Sequence, residues 1–212
     1  MSNCPFCLGP DLRDISVADV AEEHNAVRRR VLEVFPQSLL LAALGPVVSP
    51  YLLFVPRRHI GGIREATATE WEELFLALSI CLEKKVFPSG TLTIFEHGVR
   101  SDGGCSCVDH CHLHIVDGRF DLNSLIEKAL PSPKSFLIGR KGFEVDSPPA
   151  DYIWAGHYTS ESRDIVVKAS SAEGRGPQYF RRVLAALAKT DQWDWRVFPR
   201  WHAINDLLGR WN

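Results

Sequence analysis

Polar and apolar residues alternate from His110 to Ile115 in one short run, His110-Cys111-His112-Leu113-His114-Ile115-Val116. A period of two that ends in β-branched residues predicts a half-buried strand over Val108–Val116. A helix would bring His110 and His114 together at i,i+4. The run is short, however, and follows Asp102-Gly103-Gly104, which favours the strand. Two further apolar runs, Ser38–Leu44 and Tyr51–Val55, flank a loop rich in Gly and Pro and predict a hairpin. Thr91–Phe95, Tyr152–Trp154 and Asp164–Lys168 read as further strands. The segment Gly98–Gly104 forms a loop before the histidine run.

Helical periodicity appears in three places. Asp19–Val34 predicts a helix ended by Pro36. Thr67-Ala68-Thr69-Glu70 has the capping-box pattern, and Trp71, Leu74, Phe75, Leu78, Cys81 and Leu82 follow on one stripe. Gly174-Arg175-Gly176-Pro177-Gln178 opens a third helix, with Tyr179, Val183, Leu184 and Leu187 on its apolar side. Strands and helices interleave without regular βαβ units, which predicts an α+β fold on an antiparallel sheet. No internal repeat or low-complexity segment interrupts it.

Composition narrows the class. At 212 residues the chain is long enough for one large or two small domains, and 45% hydrophobic residues suffice for a core. A formal charge of -2 with no long run of one sign argues against binding bulk nucleic acid through a basic face. It leaves room for a small phosphorylated ligand. No apolar run approaches the ~18 residues of a membrane span. Met1-Ser2-Asn3-Cys4-Pro5 lacks the basic and apolar regions of a secretory signal. The expectation is a cytoplasmic protein whose six cysteines are thiols or metal ligands.

The histidine run carries the chemistry. On a strand, side chains two apart point the same way at about 6.6–6.8 Å. Three imidazoles then span about 13 Å, too far to share one phosphate, so they must have different jobs. His112, flanked on both sides, is the natural nucleophile or acid/base. A structural or adventitious metal site on the same face, or exposed polar residues with no role, are the competing readings. Cys4-Pro5-Phe6-Cys7 is a Cys-x₂-Cys knuckle within an irregular segment Cys4–Asp14, and it can supply two thiolates to zinc. A redox dithiol or two unrelated thiols remain open, as does Cys105 or Cys107 as a ligand. Cys81 and Cys111 read as small buried hydrophobes.

Taken with its companions, the run resembles the motif of the histidine-triad (HIT) superfamily, His-x-His-x-His followed by apolar residues. Leu52-Leu53-Phe54-Val55-Pro56-Arg57-Arg58-His59-Ile60 is similar to the family's strand and Pro-x-x-His segment. Ile94-Phe95-Glu96-His97-Gly98 with Ser101-Asp102-Gly103-Gly104 is similar to its nucleotide-side strand and glycine loop. The likeness covers residues 4–118.

The resemblance implies a HIT-like antiparallel sheet with flanking helices over 1–118; the strand and helix signals of 119–212, which match the family much less well, predict a smaller α+β extension packed on it. The resemblance implies a phosphohydrolase or nucleotidyltransferase that cleaves a nucleotide-like phosphoanhydride, ester or amidate through a covalent His112 intermediate. His114 would bind phosphate oxygens, and the carbonyl of His110 would fix the His112 tautomer. It implies a structural zinc held by Cys4, Cys7, His59 and His110. The glycine loop, with Gly104, Ser106 and Cys107, would hold the phosphate. Many relatives carry Gln and then Ser or Thr where this chain has Ser106 and Cys107, which opens the choice of leaving group. The transferase branch has Gln at the third triad position. His114 there leans toward hydrolysis. A phosphorylase using another acceptor, or a zinc-stabilised nucleotide-binding module with little turnover, are the alternatives. Frequent dimers in the family make a homodimer an expectation.

Beyond the resemblance, a helix opening at Gln178 can bind an anion at its N-terminus. Gln178 and Arg181 are candidate phosphate contacts there, against the plainer reading of solvated arginines on an amphipathic helix. Trp193-Asp194-Trp195-Arg196 and Trp201 suit either base stacking or packing of the C-terminal segment, and tryptophans this dense favour packing.

Overall fold

The computed structural model describes residues 4, 6–7, 27–98, 110–121, 126, 134–139, 142–143, 151–162, 164–172 and 176–211. Nine strands form one sheet: β1 Val31–Val34, β2 Ser38–Ala42, β3 Tyr51–Pro56, β4 Thr91–Gly98, β5 Leu113–Asp117, β6 Lys134–Gly139, β7 Gly142–Phe143, β8 Tyr152–Thr159 and β9 Ile165–Ser171. Their order is β1-β2-β3-β5-β4-β8-β9-β6-β7, and every neighbouring pair is antiparallel. Among the described residues the helices of full length are α1 Ala68–Glu83, α2 Tyr179–Leu187 and α3 Trp201–Trp211, with a 3-10 turn at Ile63–Glu65. The fold class is the expected α+β on an antiparallel sheet.

The hairpin forms in register, with Ser38 opposite Pro56 and Ala42 opposite Leu52. The capping box of α1 also forms. Thr67 Oγ1 accepts from the Glu70 backbone N–H at 3.2 Å, and a Glu70 carboxylate oxygen accepts from the Thr67 N–H at 2.7 Å. This satisfies two N–H groups that a helix start leaves without partners. Trp71, Leu74, Phe75, Leu78 and Cys81 of the stripe are buried, and Leu82 is half-buried.

Three expectations need correction. The helix predicted over Asp19–Val34 does not run to its end. Val27 and Arg28 are helical, but Val31–Val34 is β1 and pairs with β2; residues 19–26 lie outside the described residues. The exposed edge of β2 offers Val31-Leu32-Glu33-Val34 a backbone ladder, and that competes with helical periodicity in a segment rich in β-branched residues. The histidine strand is shorter than Val108–Val116. Extended pairing starts at Leu113, so His110 and His112 precede β5. The Cys111 N–H donates instead to the Ile60 carbonyl at 2.6 Å, which draws this stretch toward the loop after β3. Finally, the strands predicted at Tyr152–Trp154 and Asp164–Lys168 extend to Thr159 and Ser171.

Both faces of the sheet are covered. On one, α1 and α3 pack over Leu40, Leu52, Phe54, Ile94, Leu113, Ile115 and Trp154. On the other, Phe6 and α2 pack over Leu39, Leu41, Tyr51, Leu53, Phe95 and Ile153. Cys111, Leu113 and Ile115 belong to the first face. The apolar residues between the histidines are thus buried behind them, as alternation requires. The C-terminal third adds to the same sheet: β8 pairs with β4 along all eight residues, Thr91 opposite Thr159 through Gly98 opposite Tyr152.

Candidate active site and metal cluster

The three histidines occupy distinct environments. His110 is 1% exposed, while His112 and His114 are half-buried. His112 Nδ1 lies 2.7 Å from the His110 carbonyl oxygen. A carbonyl only accepts, so Nδ1 carries the proton and the lone pair is on Nε2. Burial, reinforced by the positive charge of Arg181, lowers the His112 pKa, against the carbonyl hydrogen bond that raises it. The ring is therefore neutral near pH 7. His114 is lowered further by burial and by the neighbouring His112 and Arg181.

Aromatic side chains hold the rings in place. Phe95 on β4 sits opposite His114 in register and stacks on it, with centroids 4.8 Å apart and planes 11° apart. Phe180 of α2 packs against Phe95 with centroids 4.7 Å apart. Phe6, between the two knuckle cysteines, lies 5.7 Å from His110 and 5.6 Å from His112. The Tyr51 hydroxyl lies 2.8 Å from His114 Nδ1.

Cys4, Cys7, His59 and His110 converge, with one ligand atom from each lying within 4.8 Å of all the others. Sulfur and ring nitrogen are 3.4 Å apart for Cys4–His110, 3.2 Å for Cys7–His59 and 3.6 Å for Cys7–His110. Tetrahedral zinc with ordinary Zn–S and Zn–N bonds separates S and N by about 3.5 Å. His110 Nε2 donates to the Pro56 carbonyl at 2.8 Å, leaving Nδ1 with its lone pair toward the sulfurs. A metal-binding histidine needs such an outer partner. Burial pushes the His110 pKa down to about 4, so the ring is available as a neutral ligand. The donor set fits a metal ion, and the cluster can hold one.

Beneath the cluster, the fully buried Glu96 accepts four hydrogen bonds. The Ile63 N–H at 2.8 Å and the Cys111 thiol at 3.1 Å reach one oxygen. The Tyr152 hydroxyl at 2.7 Å and the Trp154 indole at 2.9 Å reach the other. Ile63 follows the His59 loop, and Cys111 lies between His110 and His112. One carboxylate therefore ties together the two segments that carry the histidine ligands. The Tyr152 ring crosses Gly98 so closely that a Cβ there would overlap it.

Other expected site residues fall elsewhere. Gly104, Ser106, Cys107, Cys105 and Asp109 lie outside the described residues. Gln178 adopts a left-handed conformation, φ 55°, at the start of α2, and its Nε2 donates to Asp194 at 2.9 Å. Arg181 is 5% exposed; its guanidinium donates to the carbonyls of Trp193 (2.8 Å), Leu44 (3.3 Å) and Gly45. The tryptophan segment packs against the β2–β3 loop, where Gly45 N–H donates to the Pro199 carbonyl at 2.8 Å. Tyr51, Phe95, Phe180 and Glu96 were not singled out as site residues from sequence. For Phe95 and Tyr51 the signal was available, since both occupy strand positions on the histidine face.

A triad before and on a central antiparallel strand, apolar residues behind it, and a carbonyl-tethered middle imidazole complete the pattern. The fold is α+β on an antiparallel sheet, the class that the sequence resemblance implies. No protein-family model and no curated protein matches this chain. Among solved structures, a HIT family hydrolase from Clostridium thermocellum is 17% identical over 56% of this chain and 93% of that one, with a TM-score of 0.38. A hypothetical histidine triad nucleotide-binding protein from Sulfolobus tokodaii is 16% identical over 84% and 85%, at 0.34. Yeast Ap4A phosphorylase is 16% identical over 99% and 81%, at 0.44. Among the described residues, no helix is long and apolar enough to cross a membrane.

Proposed function

We propose that this chain is a HIT-type phosphohydrolase or nucleotidyltransferase, with hydrolysis favoured, acting on a nucleotide or nucleotide-like phosphoanhydride, ester or amidate. The observation that supports it most is the 2.7 Å contact between His112 Nδ1 and the His110 carbonyl, which leaves Nε2 as a free nucleophile. Nε2 attacks phosphorus, a P–N bond forms and the bond to the leaving group breaks. The imidazole keeps its Nδ1 proton on the carbonyl while the adduct is cationic. Water then attacks phosphorus, the P–N bond breaks, and the water's proton passes to solvent or to the departed group. This divides one displacement into two.

In this reading His114 donates to a phosphate oxygen. Gly104, Ser106 and Cys107 supply backbone N–H groups to the developing charge. Arg181 lends the phosphate a positive field, and Gln178 stands beside it at the start of α2. Cys4, Cys7, His59 and His110 hold a structural zinc, which ties the N-terminal knuckle to the triad. Residues 1–118 form the catalytic unit and 119–212 an extension packed on it. The substrate is a small nucleotide rather than bulk nucleic acid; a cytoplasmic setting and a homodimer belong to the same reading.

The test uses a panel of α-labelled nucleotides incubated with purified protein and quenched in alkali, where a phosphoramidate survives. A labelled adduct is expected in the parent protein and none in His112→Ala. Adduct and turnover that persist in His112→Ala refute the mechanism. Tight nucleotide binding without adduct or product across the panel refutes turnover.

A further inference from the structure

The Tyr51 hydroxyl stands between two side chains of opposite hydrogen-bonding character. On one side the Arg181 guanidinium lies over the ring, 5.6 Å from its centre, and acts on the hydroxyl as a positive, donor-bearing group. Guanidinium has donors and no acceptor, so the Tyr51 oxygen must accept there. On the other side His114 Nδ1 is 2.8 Å away. The hydroxyl has one proton, and His114 is where it can be spent. Nδ1 then holds a lone pair, and the His114 proton resides on Nε2.

Both anchors come from outside the triad strand. Tyr51 is the first residue of β3 and is 1% exposed. Arg181 lies on α2, where three backbone carbonyls fix its fork. The same helix sends Phe180 onto Phe95, which stacks on the His114 ring. One contact sets the proton of His114 and the other sets the plane of its ring.

We infer that Tyr51 is a positioning residue which, with its oxygen filled by Arg181 of α2, locks His114 as an Nε2–H donor beside His112. The role given to His114 rests on the proposed phosphoryl transfer; the tautomer itself does not. A ring free to exchange tautomers would present a lone pair to a phosphate oxygen part of the time, and two acceptors repel. The rings of His112 and His114 are 5.0 Å apart, so a phosphorus bonded to His112 brings its oxygens within reach of that N–H. Arg181, from the extension beyond residue 119, thereby acts on the triad through Tyr51.

The decisive experiment is nitrogen NMR of the full chain labelled in histidine, with the His114 signals assigned through His114→Asn. The parent protein should show His114 as a single Nε2–H tautomer. Tyr51→Phe, which keeps the ring and removes only the hydroxyl, should mix the tautomers. Arg181→Lys, which keeps the charge but loses the fork, should do so partially. A parent ring protonated on Nδ1, or one whose signals are unchanged in Tyr51→Phe, overturns the inference. In parallel, Tyr51→Phe should slow adduct formation from α-labelled nucleotide about tenfold, less than the roughly 10²–10³-fold cost of removing a transition-state donor outright. KM should change far less, because only the orientation of one donor is lost. An unaltered rate with mixed tautomers overturns the catalytic part. If the parent protein forms no adduct, the proposed function fails while the NMR result still decides the tautomer.

Discussion

Replacing Glu96 with Gln tests whether the floor beneath the triad is a charged hub. The four donors divide evenly: Ile63 N–H and Cys111 S–H on one oxygen, Tyr152 O–H and Trp154 N–H on the other. An amide must turn its NH₂ toward one pair. The thiol and the phenol can rotate away, but the backbone N–H of Ile63 and the indole N–H of Trp154 cannot. Either orientation therefore leaves one fixed, buried donor facing another donor, at a cost of about 1–3 kcal/mol. Weakening the remaining hydrogen bonds from charge-assisted to neutral adds to this, and relief from burying a charge offsets part of it.

The expected net loss is about 1–3 kcal/mol at neutral pH, in line with one unsatisfied buried donor. Urea unfolding followed by tryptophan fluorescence measures it. A variant as stable as the parent at pH 7 would refute the reasoning. The pH dependence gives an independent check. Burial is the largest influence on Glu96 and raises its pKa above the ordinary 4.5, despite the hydrogen bonds that lower it. Between 4.5 and that raised value the folded state binds a proton that the unfolded state has lost. Stability from this group is present below pH 4.5 and is lost as pH rises through the folded value. The parent should gain this component on acidification, and Glu96→Gln should lack it.

Metal analysis of purified protein should find about one equivalent of zinc, as a single four-ligand site requires, and Cys4→Ser should lose it. Metal-free protein that is fully active would remove the zinc from the proposal. Thr67→Ala removes the α1 cap and should cost about 1 kcal/mol in unfolding free energy without changing zinc content. A change below measurement error would mean that Glu70 alone satisfies the helix start.

Much of this architecture was legible because it follows from local rules. Period-two alternation put Cys111, Leu113 and Ile115 behind the histidines. The Thr67–Glu70 pattern placed the start of α1, and the Gly-Pro loop set the hairpin between β2 and β3. The ligand set Cys4, Cys7, His59 and His110 came from a resemblance rather than from spacing, and the fold brings those four together. The misread segments show where local rules stop. Val31–Val34 looks helical until β2 supplies a ladder. His110 and His112 look like strand until the Ile60 carbonyl claims the Cys111 N–H between them and the Pro56 carbonyl claims the His110 ring.

Residue order in this chain was enough to specify which side chains share a face and which carry reactive chemistry, because both depend on backbone periodicity and side-chain type. Partnership between distant residues belongs to the folded state alone. Tyr51 meets Arg181 across 130 positions of sequence, and Glu96 meets Tyr152 across 56. Hydrogen bonds and desolvation act over a few ångströms in space, and no pattern along the chain encodes those distances until the sheet has closed.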